Sequence, residues 1–153
     1  MKIVKTVTFT GCLLLAGVAF GQQSEFKQKL QEDMDGYKDR IVTNCKATDK
    51  LKMVWEGGSF GVNPRESEKP DWNAVSTLCT SGLDALNACQ ENEPVRKAIG
   101  KVTTISCTTG KGTLSYKLAG SKLTFSVDPS FTKNNAAGQE SDLVTKMKKD
   151  IDK

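Results

Sequence analysis

The sequence predicts an α+β fold, in which an antiparallel sheet packs against amphipathic helices and two disulfides staple the layers together. Three observations carry this expectation. Apolar residues recur at helical spacing near 24–43, 71–90 and 143–151, and they alternate at period two near 50–56 and across 101–128. Four cysteines (Cys45, Cys79, Cys89 and Cys107) follow a leader-like N-terminus. Each periodic segment has one apolar face, and such faces are stable only when buried against one another.

The N-terminal 21 residues have the layout of a secretory signal peptide. Lys2 and Lys5 precede an apolar run from about Thr10 to Phe20, and Ala19-Phe20-Gly21 supplies small residues for cleavage. The run is too short to span a bilayer, which takes roughly 20 apolar residues, and no later stretch comes close. The expected division is therefore residues 1–21 as signal peptide and 22–153 as one exported domain. Thr10-Gly11-Cys12 also resembles a lipoprotein site, but the apolar run follows Cys12 instead of preceding it. Anchoring through Cys12 would leave Leu13 to Phe20 on the mature chain, so it stands as an alternative.

The whole chain carries 22 basic and 18 acidic residues, and losing Lys2 and Lys5 leaves 20 against 18. Basic and acidic residues are interleaved, which gives little field for attracting nucleic acid. In an exported chain, an even set of four cysteines reads as two disulfides. A zinc site is not expected, because no Cys-x-x-Cys pair occurs and the chain has no histidine.

Ser24 can cap a first helix, along which Phe26, Leu30, Met34, Tyr37 and Ile41 form one stripe. Leu51, Met53 and Trp55 then alternate with Lys50, Lys52 and Glu56, as in a half-buried strand. A glycine- and proline-containing loop runs from Gly57 to Pro70. Asp71 can open a second helix reaching about Gln90. If it is continuous, Cys79 and Cys89 lie roughly 15 Å apart at 1.5 Å rise per residue, too far to bond; Gly82 is the weak point, where a break would reopen that pairing. Two connectivities remain: Cys45–Cys79 with Cys89–Cys107, or Cys45–Cys89 with Cys79–Cys107. Pro94 suits the first turn of a short helix ended by Gly100. Three alternating runs follow, around Thr103–Cys107, Leu114–Leu118 and Leu123–Val127, joined by glycine-containing turns. They read as an antiparallel meander. Thr132 to Gly138 reads as a linker, and Leu143, Met147 and Ile151 mark a last helix.

Most catalytic motifs fail on chemistry. Gly57-Gly58-Ser59-Phe60-Gly61 fits G-x-S-x-G, yet no histidine exists to take the serine's proton, and Asn63-Pro64 denies it a following helix. Ser24/Lys27 and Ser130/Lys133 match a serine–lysine spacing made of common residues. Asp33-Met34-Asp35-Gly36 begins like a calcium loop, but its glycine comes early and the segment reads as helix. Lys111, in Gly110-Lys111-Gly112, reads as the tip of a hairpin and not as a phosphate loop. Paired carboxylates could still support glycoside hydrolysis, with Glu56 and Glu66 preferred and Glu68 and Asp71 also in reach. No cofactor is implied. The absence of histidine removes the commonest general base and metal ligand together.

These features point to a non-catalytic, exported binding or inhibitory domain of the bacterial envelope or extracellular space. Its expected partner is another envelope or extracellular protein, with contacts from Phe60, Arg65 and Lys111. The alternatives are a small carboxylate-dependent hydrolase and a lipoprotein held by Cys12.

Overall fold

Leu30, Met34, Ile41 and Cys45 fall on one side of a helix and are all buried, so the first apolar stripe does face a core. The computed structural model describes residues 15–57, 72–128 and 136–151. The first helix, α1, covers Leu15–Cys45 and begins nine residues before the expected start. No proline or turn sequence separates the apolar leader from the stripe, so Ser24 falls inside the helix instead of capping it. Lys46 closes α1 with φ of 56°, the left-handed conformation common just past a helix end.

Strand β1 (Lys52–Trp55) follows, and then α2 (Trp72–Asp84). A single helix to Gln90 is not formed. After α2 comes a 3₁₀ turn at Ala85–Asn87, then the short helices α3 (Ala88–Glu91) and α4 (Glu93–Ile99). Ser81, Gly82, Leu83, Ala85, Leu86, Ala88 and Cys89 are all buried. One straight helix presents only a stripe to a core, so burying this run requires the chain to turn. The break lies after Asp84, although Gly82 is the more flexible residue. Gly82 instead permits close packing: a Cβ there would sit 2.9 Å from the Phe125 ring. Asn92 caps α4 by accepting from the Val95 N–H at 2.8 Å, with Pro94 in the first turn as expected.

The remaining elements are β2 (Thr104–Thr109), β3 (Ser115–Ala119), β4 (Lys122–Val127) and α5 (Ala136–Ile151). All four expected strands are present, but the sheet is mixed. Its order is β1-β2-β4-β3, with β1–β2 and β2–β4 parallel and only β3–β4 antiparallel. Both antiparallel expectations, for β1 and for the meander, are thereby corrected. Three described helices lie between β1 and β2, and such a crossover returns the chain to the end where β1 started. Between β2 and β3, residues 110–114 pass over the end of β4, so β4 inserts where a meander would place β3. The true hairpin is β3–β4, closed by Gly120-Ser121 with Gly120 at φ 58°, where a two-residue turn needs its glycine.

Two side-chain rows cross the sheet on the core face: Met53, Ile105, Leu123, Leu118 and Trp55, Cys107, Phe125, Tyr116. Helix α1 lies on β1, α2 lies on β4, and α5 packs against α2 and α4. The disulfides are Cys45–Cys89 (Cα–Cα 5.0 Å) and Cys79–Cys107 (6.1 Å). Cys79 and Cys89 do not pair, although the continuous helix expected to hold them apart is broken after Asp84, and of the two open connectivities the structure takes the second. One bond ties the end of α1 to α3, and the other ties α2 to the central strand β2.

Candidate binding surface

Because β1, β2 and β4 are parallel, their carboxyl ends lie together at one end of the sheet. In sheets with parallel strands this end is where ligands commonly bind, since loops converge there above the strand termini. Here it gathers the exit of β1 at Glu56-Gly57, the crossing segment 110–114, and Asp128 after β4. Hydrogen bonds lace them together. Glu56 N donates to Cys107 O at 2.8 Å, and the Thr108 hydroxyl donates to Glu56 O at 3.3 Å. Gly110 N donates to Val127 O at 2.8 Å, and Gly112 N to the Asp128 carboxylate at 2.6 Å.

The two glycines make this crossing feasible. A Cβ on Gly110 would collide with the Ser126 hydroxyl, and Gly112 takes φ of 89°, which side chains disfavour. Between them Lys111 is exposed at the apex, so it does occupy a turn tip, although the turn crosses β4 instead of closing a hairpin. Phe60 and Arg65 lie outside the described residues, as do Ser59, Glu66, Glu68, Asp71, Ser130, Lys133 and Cys12. The chain segment carrying Phe60 and Arg65 departs from β1 at the same sheet end that displays Lys111. An antiparallel β1 would have sent it from the other end.

Glu56 is committed elsewhere. Its carboxylate accepts from Lys122 Nζ at 2.7 Å, and the pair reaches diagonally across β2 over Ser106. Ser106 is fully buried in consequence, and its hydroxyl sits 3.0 Å from that of Thr124. The hydrogen bond from Lys122 holds the Glu56 carboxyl below its ordinary value. A general acid needs the reverse shift. Asp33 and Asp35 lie on α1, which gives them helical and not calcium-loop geometry. Among the described residues, no group of three or more His, Cys, Asp or Glu is placed to hold a metal ion, and no helix is long and apolar enough to cross a membrane.

Some polar residues that shape the surface gave no sign in the sequence pattern. Asp84 accepts from Arg40 Nη2 at 2.7 Å and from the Tyr37 hydroxyl at 3.1 Å, and the Arg40 guanidinium stacks 4.3 Å above the Tyr37 ring. Burial, then the Asp84 charge, raises the Tyr37 phenol, and the same two causes raise the Glu140 carboxyl on α5. This cluster joins α1, α2 and α5. At the sheet edge, the Gln31 side chain donates to Met53 O at 2.7 Å and accepts from Trp55 N at 3.4 Å. Lys52 N and Glu56 N point to β2, so Met53 and Trp55 present their main chain outward, and Gln31 takes the place of a neighbouring strand.

Compared with known proteins, the chain matches no family model, no curated protein and no solved structure.

Proposed function

We propose that this chain is a non-catalytic, exported binding or inhibitory domain of the bacterial envelope or extracellular space. Its contact surface is the carboxyl end of the parallel strands, and its partner is another envelope or extracellular protein. The observation that carries the reading is the convergence there of three strand termini around exposed Lys111. Two disulfides through the core suit an oxidising compartment, where the leader-like N-terminus would direct the chain. Glu56, held ionised by Lys122, serves as a strap on the sheet face.

Site-specific photocrosslinking tests this in secreted protein expressed from the full chain. A crosslinker at Lys111 should give discrete adducts with envelope or medium proteins, whereas one at Lys101, exposed at the opposite end of β2, should not. Equal labelling from both positions would remove the proposed surface. Intact mass measured alongside reads cleavage after Gly21 and the formation of two disulfides. A full-length, reduced product would remove the exported assignment.

A further inference from the structure

The two edges of the sheet are β1 and β3, and they are finished differently. We propose that the outer edge of β3, with the groove it makes against α5, takes an extended acidic peptide segment of a partner protein as an added strand. This goes beyond the surface proposed above, because strand addition uses main-chain groups at an edge and not the loops at the strand termini.

The direction of the free groups follows from the hairpin. Ala119 and Lys122 flank the two-residue turn, so they form its closing hydrogen-bonded pair. Counting back, Lys117 and Ser115 also point their main chain to β4, while Leu118 and Tyr116 point theirs away. Leu114 confirms the alternation, because its N–H leaves the sheet and donates to Gln139 Oε1 on α5 at 2.6 Å. That cover ends at Leu114. Among the described residues, none bonds the outward main chain of Tyr116 or Leu118.

A groove lies beside the start of this edge, lined by Leu114, Ser115, Gln139, Asp142, Leu143 and Lys146. Gln139 is 7% exposed, and its amide nitrogen has no hydrogen-bond partner among the described residues. A buried donor of this kind is uncommon in a closed core and is satisfied when an acceptor joins the groove.

Charge decides the occupant. Lys117 is exposed between Tyr116 and Leu118 and stands on the sheet's open face. Pairing with a second copy through those two residues places Lys117 opposite Lys117, and like charges directly opposite are unfavourable. An edge lysine is a known guard against such self-pairing. An incoming strand with a carboxylate facing Lys117 gains what a second copy loses, and Lys146 adds a second exposed cation. Of the three acids on α5, Asp142 lines the groove, Asp150 is engaged by the Tyr116 hydroxyl at 3.2 Å, and Glu140 interacts with Asp84 and Arg40 instead.

The test uses the oxidised protein, a blocked alternating valine–glutamate pentapeptide, and its valine–lysine counterpart. Amide hydrogen exchange at Tyr116 and Leu118 should slow at least about tenfold with the glutamate peptide and little with the lysine peptide. Exchange at Trp55 should not change. Lys117→Glu, an exposed substitution, should reverse the peptide preference. Equal effects of both peptides, or none at β3, would overturn the proposal. So would protection of Tyr116 and Leu118 that appears without peptide and rises with protein concentration, since the occupant would then be a second copy. None of these outcomes bears on crosslinking at Lys111.

Discussion

At the β1 edge, the side chain of Gln31 bonds outward main-chain groups that an edge strand otherwise leaves free. At the β3 edge, Gln139 does the same for Leu114, and among the described residues none bonds the outward main chain of Tyr116 or Leu118. Both edges use a glutamine from a helix, yet Gln31 bonds two outward groups of β1 while Gln139 bonds one beside β3. The two helices are also held differently. Helix α1 lies on β1 and is tied at its last residue by Cys45–Cys89, whereas α5 reaches β3 through Gln139 and the Tyr116–Asp150 hydrogen bond.

The largest expected effect comes from releasing the clamp on α1. Replacing Cys45 and Cys89 together by alanine removes a crosslink spanning 44 residues. By chain entropy this should cost about 4 kcal/mol in urea unfolding. Exchange at the Trp55 amide should rise more than exchange at Tyr116. A rise confined to β3 would break the comparison.

Next in size is Gln31→Ala, which removes both hydrogen bonds to β1. It should cost about 1–2 kcal/mol, since each bond contributes on the order of 1 kcal/mol net. Exchange at Trp55 should approach that of the free β3 edge. An unchanged Trp55 rate would show that the helix body, and not the amide, seals β1.

At the other edge the contact is sensitive to alkali. Burial, followed by the charge and hydrogen bond of Asp150, keeps the Tyr116 phenol neutral, with its pKa pushed up to about 12 from an ordinary 10.0. A group raised in the folded state contributes stability that is fully present below the unfolded value. That contribution is lost as pH rises through the folded one. The β3–α5 contact should therefore weaken between pH 10 and about 12. Phenolate absorbance should show Asp150→Asn bringing the Tyr116 titration part of the way back, because burial remains. No change in Asp150→Asn would remove that contact from the account of the edge.

Smallest is the strap across the open face. Lys122→Met should cost less than about 0.5 kcal/mol, because both partners are more than a third exposed and solvent screens them. Glu56 is lowered in the folded state, so its contribution is present above its ordinary 4.5 and lost as pH falls through the folded value. Lys122→Met should flatten the pH dependence of unfolding only below that range. A larger loss near neutral pH would mean that the strap matters to the sheet as much as its edges do.

Much of the element content was legible in local pattern. Leu51, Met53 and Trp55 announce β1, and Leu123, Phe125 and Val127 announce β4, because a strand with one buried face must alternate. Leu143 and Met147 mark α5 for the corresponding helical reason. The pairing was not legible, since a period-two run looks the same beside either neighbour. The break after Asp84 was hidden because Gly82 offered a more obvious weak point. Of the expected contacts, Lys111 lies at an exposed turn, while Phe60 and Arg65 lie outside the described residues. Gln31 and Gln139 were missed because each bonds main chain 22 to 25 residues away, and so leaves no local signature.

By itself, the sequence determined which segments form the four strands and where the main apolar helical stripes lie. Those outcomes depend on which face of a short segment is apolar. Only the tertiary structure decided that β4 lies between β2 and β3, that Cys45 bonds Cys89, and that Gln31 covers part of one sheet edge while Gln139 reaches the other at Leu114. Each of these is set by contacts between residues tens of positions apart, where packing chooses among arrangements that local pattern leaves equivalent.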